Sequence, residues 1–577
     1  MLHLLLGPSG SGKSHTLREL LRQRADAGQR SILIVPEQFT SSTEGMLYRT
    51  LGDSRSVFVE SYSFTSLAET LLRRYGGAAV PTLTEAGRAM LVRRAMDSLL
   101  DKVVYYSRQR RSAAFCEKAA QTIEELKSAG VTPEQLADYA RKPGADSDKL
   151  SELSLIYAAY EALLQQTAMD PGDRVQRAAQ TLDAAWFAGR AVFIDEFDTF
   201  NAPKRAMLAA MLPVTDVTVS LCCDSDAPDD GMGTFSGGRR VASLLKRMAR
   251  DAGVDTHTTL LTEDRRHTGT LAELNLLLAD PAYTPERTVD PAAPDIVQYA
   301  AASRQDEAKA AAAAIRARAR AGTPYRKMAV ICRSADSYRS AVRYGFRLQN
   351  IPLFCDEPTT PEHTAPARAV HAALEILRSG VNSRTMVRLL KTGLTSLPED
   401  AQCALENYTY TWPLKAEDWR GPFTRSAAGY SDRATDEDAR TLALAEQARE
   451  FLVSRAQKFI AKARNRSAAE TTRQIYLFLQ GLGAEETLNA LAADLRRRGE
   501  LPAAEEALRE WNTVMELLNQ LAGMMGEEPL PPADYAELFT LLLRTTDMGH
   551  IPQSLDSVIF TTAGRMRLPE VDAVFVL

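Results

Sequence analysis

The first apolar run of the chain, LHLLL at positions 2–6, is short and unbroken, as suits a strand buried on both faces of a parallel sheet. After a loop comes HTLRELLRQR, in which Leu17, Leu20 and Leu21 fall on one face of a helix, and Gly28 supplies its stop. SILIVP (31–36) and SVFVESYSF (56–64) read as two further strands, so the chain opens β, loop, α, β, α, β. From about Thr84 to Asp183 the period is helical. Within it VTPEQLADY sets Thr132 as N-cap, Pro133 at the first helical position and Gln135 to close a capping box. Strand patterns return in RAVFIDEFDTF (190–200) and VTDVTVSLCCD (214–224), which makes the helical stretch an insertion within a sheet domain. DAPDDGMGTFSGGRR (226–240) reads as a mobile loop. At PAAPDIVQYAA the alternation starts afresh with a strand, the Ala-rich helix 306–320 and the strand KMAVICR (327–333). A second helical stretch from about Pro361 to Met548 precedes a closing strand pair, DSVIFTTAG and VDAVFVL.

The pattern predicts an α/β chain with two parallel-sheet domains, each split by helices. The first occupies 1–83 and 184–290 around a helical insertion at 84–183; the second occupies 291–360 and 549–577 around one at 361–548. Length agrees, since 577 residues exceed one core and suggest roughly three or four units.

Composition narrows the class. With 45% hydrophobic and 25% charged residues this is an ordinary soluble composition, and no apolar run approaches the roughly 18 residues that span a bilayer. The first residues offer no basic region or cleavage site, so the reading is a cytoplasmic protein. Cys116, Cys222, Cys223, Cys332, Cys355 and Cys403 lack C-x-x-C spacing and read as buried small hydrophobes, not as a zinc site or disulfide framework. The net charge of −5 argues weakly against a nucleic-acid partner. RQRR (108–111), GGRR (237–240), KFIAKARNR (458–466) and RRR (496–498) are local exceptions, each equally readable as a solvated helix face.

Chemistry enters at GPSGSGKS, residues Gly7, Pro8, Ser9, Gly10, Ser11, Gly12, Lys13 and Ser14. Gly7, Gly10 and Gly12 let the backbone turn its N–H groups inward around phosphates. Lys13 would face the β- and γ-phosphates of ATP, Ser14 would offer a hydroxyl to Mg²⁺, and the following helix would aim its positive end at the anion. VFIDEF (192–197) then delivers two acids at a strand end. Beside a phosphate loop, Asp195 would hold the metal and Glu196 would orient or deprotonate the attacking water. In SYSF, Tyr62 and Phe64, with Ser63 between them, are candidates for stacking on DNA bases, though a core aromatic is an equal reading for either ring.

These residues resemble the superfamily 1 DNA helicases, which implies two RecA-like domains. Over essentially its whole length the chain is similar to the B subunits of the bacterial AddAB (RexB-like) helicase-nucleases. The stretches that carry the likeness are LLGPSGSGKS, VPEQFT (35–40), VESYSF (59–64), VFIDEF, MAVICRSADSY (328–338), NIPLFCDEP, LLKTGL, ALENYTYTW (404–412) and GRMRLPEVDAVFVL, in that order. The resemblance implies a role in double-strand-break repair by homologous recombination, DNA as substrate, and a heterodimer with an AddA-like motor. It also matches Arg333 to an arginine that reaches the γ-phosphate. In that family a nuclease domain with an iron–sulfur cluster would follow VDAVFVL, so this chain is expected to be a piece of a longer protein, without nuclease activity. Two other readings stand beside it: a non-catalytic helicase-fold scaffold that guides DNA and docks the motor, and a small-molecule P-loop enzyme.

Overall fold

Leu2, Leu4, Leu5 and Leu6 are essentially without solvent exposure in β1 (Leu2–Gly7), because neighbouring strands flank it and helices cover its faces. The computed structural model describes the chain except residues 77–82, 100–101, 110–111, 145, 168–169, 230, 281, 285–294, 356–359, 431–434, 526, 528, 549–555 and 564–570. Arg110 and Arg111 of the first basic run, part of NIPLFCDEP, and the start of GRMRLPEVDAVFVL lie outside the described residues. So do the expected domain junction at 290/291 and the return segment at 549–555.

The strands form two parallel sheets. The first holds β2 (Arg30–Ile34), β3 (Val59–Tyr62), β4 (Arg190–Ile194), β5 (Asp216–Cys222) and β6 (Thr256–Leu260) with β1, in the order β3-β2-β4-β5-β1-β6. Leu33 pairs with Phe193, Ile194 with Val219, and Leu5 with Ser220. Parallel pairing carries the C-terminal ends of β1 and β4 to the same edge of the sheet, with β5 between them. The second sheet joins β7 (Met328–Cys332), β8 (Leu353–Cys355), β9 (Val558–Thr562) and β10 (Ala573–Val576) in the order β10-β7-β9-β8. β9 and β10, expected as a pair, instead flank β7.

Helices fill the gap between β3 and β4, from Glu85–Ser98 to Pro171–Gln180, and that between β8 and β9, from Ala365–Ser379 to Pro532–Thr545. Thr132 accepts from the Gln135 N–H and Gln135 returns the bond, the expected capping box. The two helical stretches pack on each other. Ala86 and Met90 of the first enter the core of the second, and Leu541 of the second enters the core of the first. Arg93, 5% exposed, donates to Asp534 at 2.9 Å across this seam.

Four expectations change. The described residues 295–303 hold no strand and are mostly exposed, because no neighbouring strand takes up their backbone groups. β6, built from THTTL, was not expected, since its alternation carries hydroxyls and imidazole in place of aliphatic side chains. GGRR lies in the helix Ser236–Asp251, not in a loop: a Cβ on Gly238 would stand 2.2 Å from the Cys222 carbonyl oxygen, so glycine lets this helix close on β5. Cys222 and Cys403 are exposed, while the other four cysteines are buried. Among the described residues no helix is long and apolar enough to cross a membrane.

Candidate functional site

The loop after β1 is shaped by its glycines. Gly10 (φ 81°) and Gly12 (φ 88°) are left-handed, where a side chain would be strained. Gly7 is required for a different reason, since a Cβ there would lie 2.7 Å from the Leu261 carbonyl oxygen. The helix Lys13–Asp26 begins directly at the loop with no side-chain cap and no acid in its first turn, so its N-terminal N–H groups are left for an anion. Lys13 folds back over the loop and donates to the carbonyls of Gly7 (2.8 Å) and Pro8 (2.7 Å). A phosphate would replace these neutral acceptors with a full negative charge.

β4 brings the acids to the same edge. Asp195 is 6% exposed; its N–H bonds to the Ile34 carbonyl at 3.1 Å, extending the β2–β4 ladder by one residue. Its Oδ1 accepts from Ser220 Oγ and from the Glu196 N–H at 3.1 Å. Glu196 then turns out of the sheet with φ 68°, a left-handed conformation that costs a non-glycine residue energy. The turn points its carboxylate at the loop, where Ser14 Oγ donates to Oε1 at 3.4 Å. The fold thus gathers Lys13, Ser14, Asp195 and Glu196 around one loop mouth. Alcohol and carboxylate oxygens beside an ammonium are a donor set suited to Mg²⁺ and a polyphosphate.

A third segment, which the sequence reading passed over, closes the site from the β6 side. Leu261 N–H bonds to the Leu6 carbonyl at 2.8 Å and Arg265 N–H to the Gly10 carbonyl at 2.9 Å. Asp264 Oδ1 accepts from the N–H groups of Arg266 and His267, both at 3.0 Å. Its Oδ2 meets the His267 ring (2.8 Å) and Asn275 Nδ2 (2.8 Å), and Asn275 also reaches the Ser9 carbonyl at 3.3 Å. Burial alone would raise the Asp264 pKa, but the His267 and Arg266 N–H bonds, with the His267 and Asn275 side chains, hold it down at about 2. Arg265 lies along the loop, its Cδ 3.5 Å from where a Cβ on Gly12 would be. The available signal was EDRRH just beyond a strand, an acid poised to cap its own following N–H groups.

The remaining candidates sit apart from the loop. Arg333 follows β7 in the second sheet and is exposed. Ser63 caps the helix Phe64–Tyr75 in a capping box with Ser66. Phe64 is 3% exposed and packs edge-on against Phe197 (5.3 Å) and Phe200 (6.3 Å), so its ring has no free face for a base. Tyr62 is half-buried and donates to Glu60 at 2.8 Å; burial, then Glu60, pushes its pKa up to about 12. Ser63 and Phe64, with Phe197, Lys204 and Lys127, line a cleft of about 850 Å³ between the sheet and the first helical stretch. Lys127 there is held by Glu161 (2.7 Å), Asp170 (2.8 Å) and Asp173 (2.8 Å). Of the basic runs, Arg239 pairs with Asp224 at 2.6 Å, and Arg497 and Arg498 both pair with Asp494.

Residues 4–277 match the family described as ADDB, N-terminal. The chain is 31% identical over 600 residues to the B subunit of the ATP-dependent helicase/deoxyribonuclease of Moorella thermoacetica, covering 100% of this chain and 52% of that protein. It is 28% identical over 598 residues to the protein of the same name from Desulforamulus reducens, with 100% and 52% covered. With that of Clostridium novyi it shares 25% identity over 584 residues, with 99% and 50% covered. The chain spans about half the length of the curated relatives it matches. By the match of residues 4–277 and by its similarity along its whole length, the chain is a relative of the AddB proteins.

Proposed function

We propose that this chain binds MgATP at Gly7–Ser14 as the ATP- and DNA-binding part of a helicase-nuclease, in the role of its B subunit, working in the cytoplasm on broken DNA ends with an AddA-like motor. The observation that carries the reading is the meeting of Ser14 and Glu196 at 3.4 Å across 182 residues of sequence, next in the chain to Lys13 and Asp195. The relatives support it, being named as B subunits of ATP-dependent helicase/deoxyribonucleases. In this reading the two sheets are RecA-like domains, 1–83 with 184–290 and 291–360 with 549–577, and the helical insertions are 84–183 and 361–548.

Ser14 and Asp195 would hold Mg²⁺, which when bound offsets charge on the transferring phosphoryl oxygens. Lys13 exchanges the carbonyls of Gly7 and Pro8 for phosphate oxygens. Glu196, aimed into the loop mouth by its left-handed turn, accepts a proton from the attacking water or orients it. Arg265 beside Gly12 and Arg333 from the second sheet are the two candidates for stabilising charge in the transition state, a role that contributes roughly 10³ to 10⁵ in rate.

The test is fluorescent-nucleotide binding and DNA-stimulated ATP turnover. Lys13→Ala should weaken nucleotide binding severely, Asp195→Asn should spoil the dependence on metal, and Glu196→Gln should keep ATP bound while turnover stops. Nucleotide affinity unchanged in Lys13→Ala would remove the site from this loop.

A further inference from the structure

We infer that Ser220 is a positioning residue for the metal-side carboxylate, fixing Asp195 so that one oxygen is spent on the protein and the other is kept for the cation. This rests on the reading of Gly7–Ser14 as a MgATP site. Ser220 is 3% exposed in β5, between Val219 and Leu221, where an aliphatic residue would fill the space. A hydroxyl in such a place must find a partner, and its partner is a carboxylate on the neighbouring strand's end. β5 lies between β4, which carries Asp195, and β1, which carries the phosphate loop, and Ser220 is in register with Leu5, two residues before Gly7.

Ser220 Oγ and the Glu196 N–H both donate to Asp195 Oδ1. Among the described residues no protein donor reaches Oδ2. The bond has two consequences: it fixes the rotation of the carboxylate about its last torsion, and it draws Oδ1 away from the cation so that coordination is through one oxygen. Partners that orient a metal ligand in this way typically change metal affinity by about 10- to 100-fold when removed.

The experiment measures binding of a fluorescent ATP analogue to the 577-residue protein across a Mg²⁺ titration and again in EDTA, for wild type, Ser220→Ala, Ser220→Thr and Ser220→Cys, with thermal unfolding of each. Ser220→Ala is expected to raise the Mg²⁺ concentration at half-effect about 10-fold or more, while affinity in EDTA stays at the wild-type value. Ser220→Thr, which keeps the hydroxyl, should restore wild-type Mg²⁺ dependence. Ser220→Cys, similar in size with a weak donor, should behave like alanine and serves if alanine fails to fold. Equal losses with and without Mg²⁺, or an unshifted titration in both Ser220→Ala and Ser220→Cys, would overturn the inference. Wild type that shows no Mg²⁺-dependent nucleotide binding would instead overturn the reading of the site.

Discussion

Glu196 combines two demands in one residue. Its φ of 68° costs about 1–2 kcal/mol for a side-chain-bearing residue, and the turn it makes is what carries the carboxylate to Ser14. Glu196→Gly should therefore melt at a slightly higher temperature, by up to about 1 kcal/mol after the extra freedom of an unfolded glycine is counted, while ATP turnover is lost. A lower melting temperature with turnover retained would contradict both halves. Asp264 works in the opposite sense, fixing the turn of the segment beyond β6 through four contacts within it, while the Arg265 N–H and Asn275 carry the bonds to the loop. Asp264→Ala should speed hydrogen exchange at Arg266 and His267 by roughly 10-fold or more, the loss of a charge-assisted bond of about 1.5–3 kcal/mol. Because its folded pKa is depressed to about 2, the clamp's contribution is complete above the unfolded carboxylate value and falls away only as pH drops through about 2. The carboxylate itself should thus stay ionised, and keep accepting from these two amides, from about pH 5 upward.

At the scale of elements, SYSF shows how a strand end is divided. β3 stops at Tyr62, Ser63 caps the next helix, and Phe64 begins it with its ring turned into the core. Phe64→Ala should cost about 3–5 kcal/mol of stability, measured by denaturant unfolding, so a loss of DNA binding in that variant would report on the fold. Tyr62→Ala is the informative change. If Tyr62 stacks on a base, single-strand binding should weaken by about 1–3 kcal/mol with the melting temperature little altered. Equal binding would take Tyr62 out of the interface.

Across the whole molecule, the two helical stretches behave as one body because they share cores and a buried ion pair. Arg93 also meets Asp97 at 3.3 Å, but Asp97 is half exposed, whereas Asp534 is 16% exposed. Asp534→Ala removes the partner that Arg93 reaches across the seam and should lower the unfolding midpoint, exposing the seam to limited proteolysis. An unchanged cleavage pattern and unfolding midpoint would show that apolar packing alone holds the seam.

What the sequence by itself determined is local and chemical. GPSGSGKS is legible as a glycine loop running into a helix, the pattern proposed here to take an anion, because its glycines, helix N–H groups and lysine lie within eight residues, and VFIDEF is legible as acids at a strand end for the same reason. Capping at Thr132 was legible because its partners lie three residues apart. Tertiary structure alone decided which distant groups share that site. The strand order β4-β5-β1 sets Asp195, Ser220 and the loop side by side, β6 delivers the Asp264 segment, and the Phe64 ring packs into the core against Phe197 and Phe200. None of these follows from spacing, since parallel pairing joins residues far apart in the chain and leaves no periodic trace of which strand will be the neighbour.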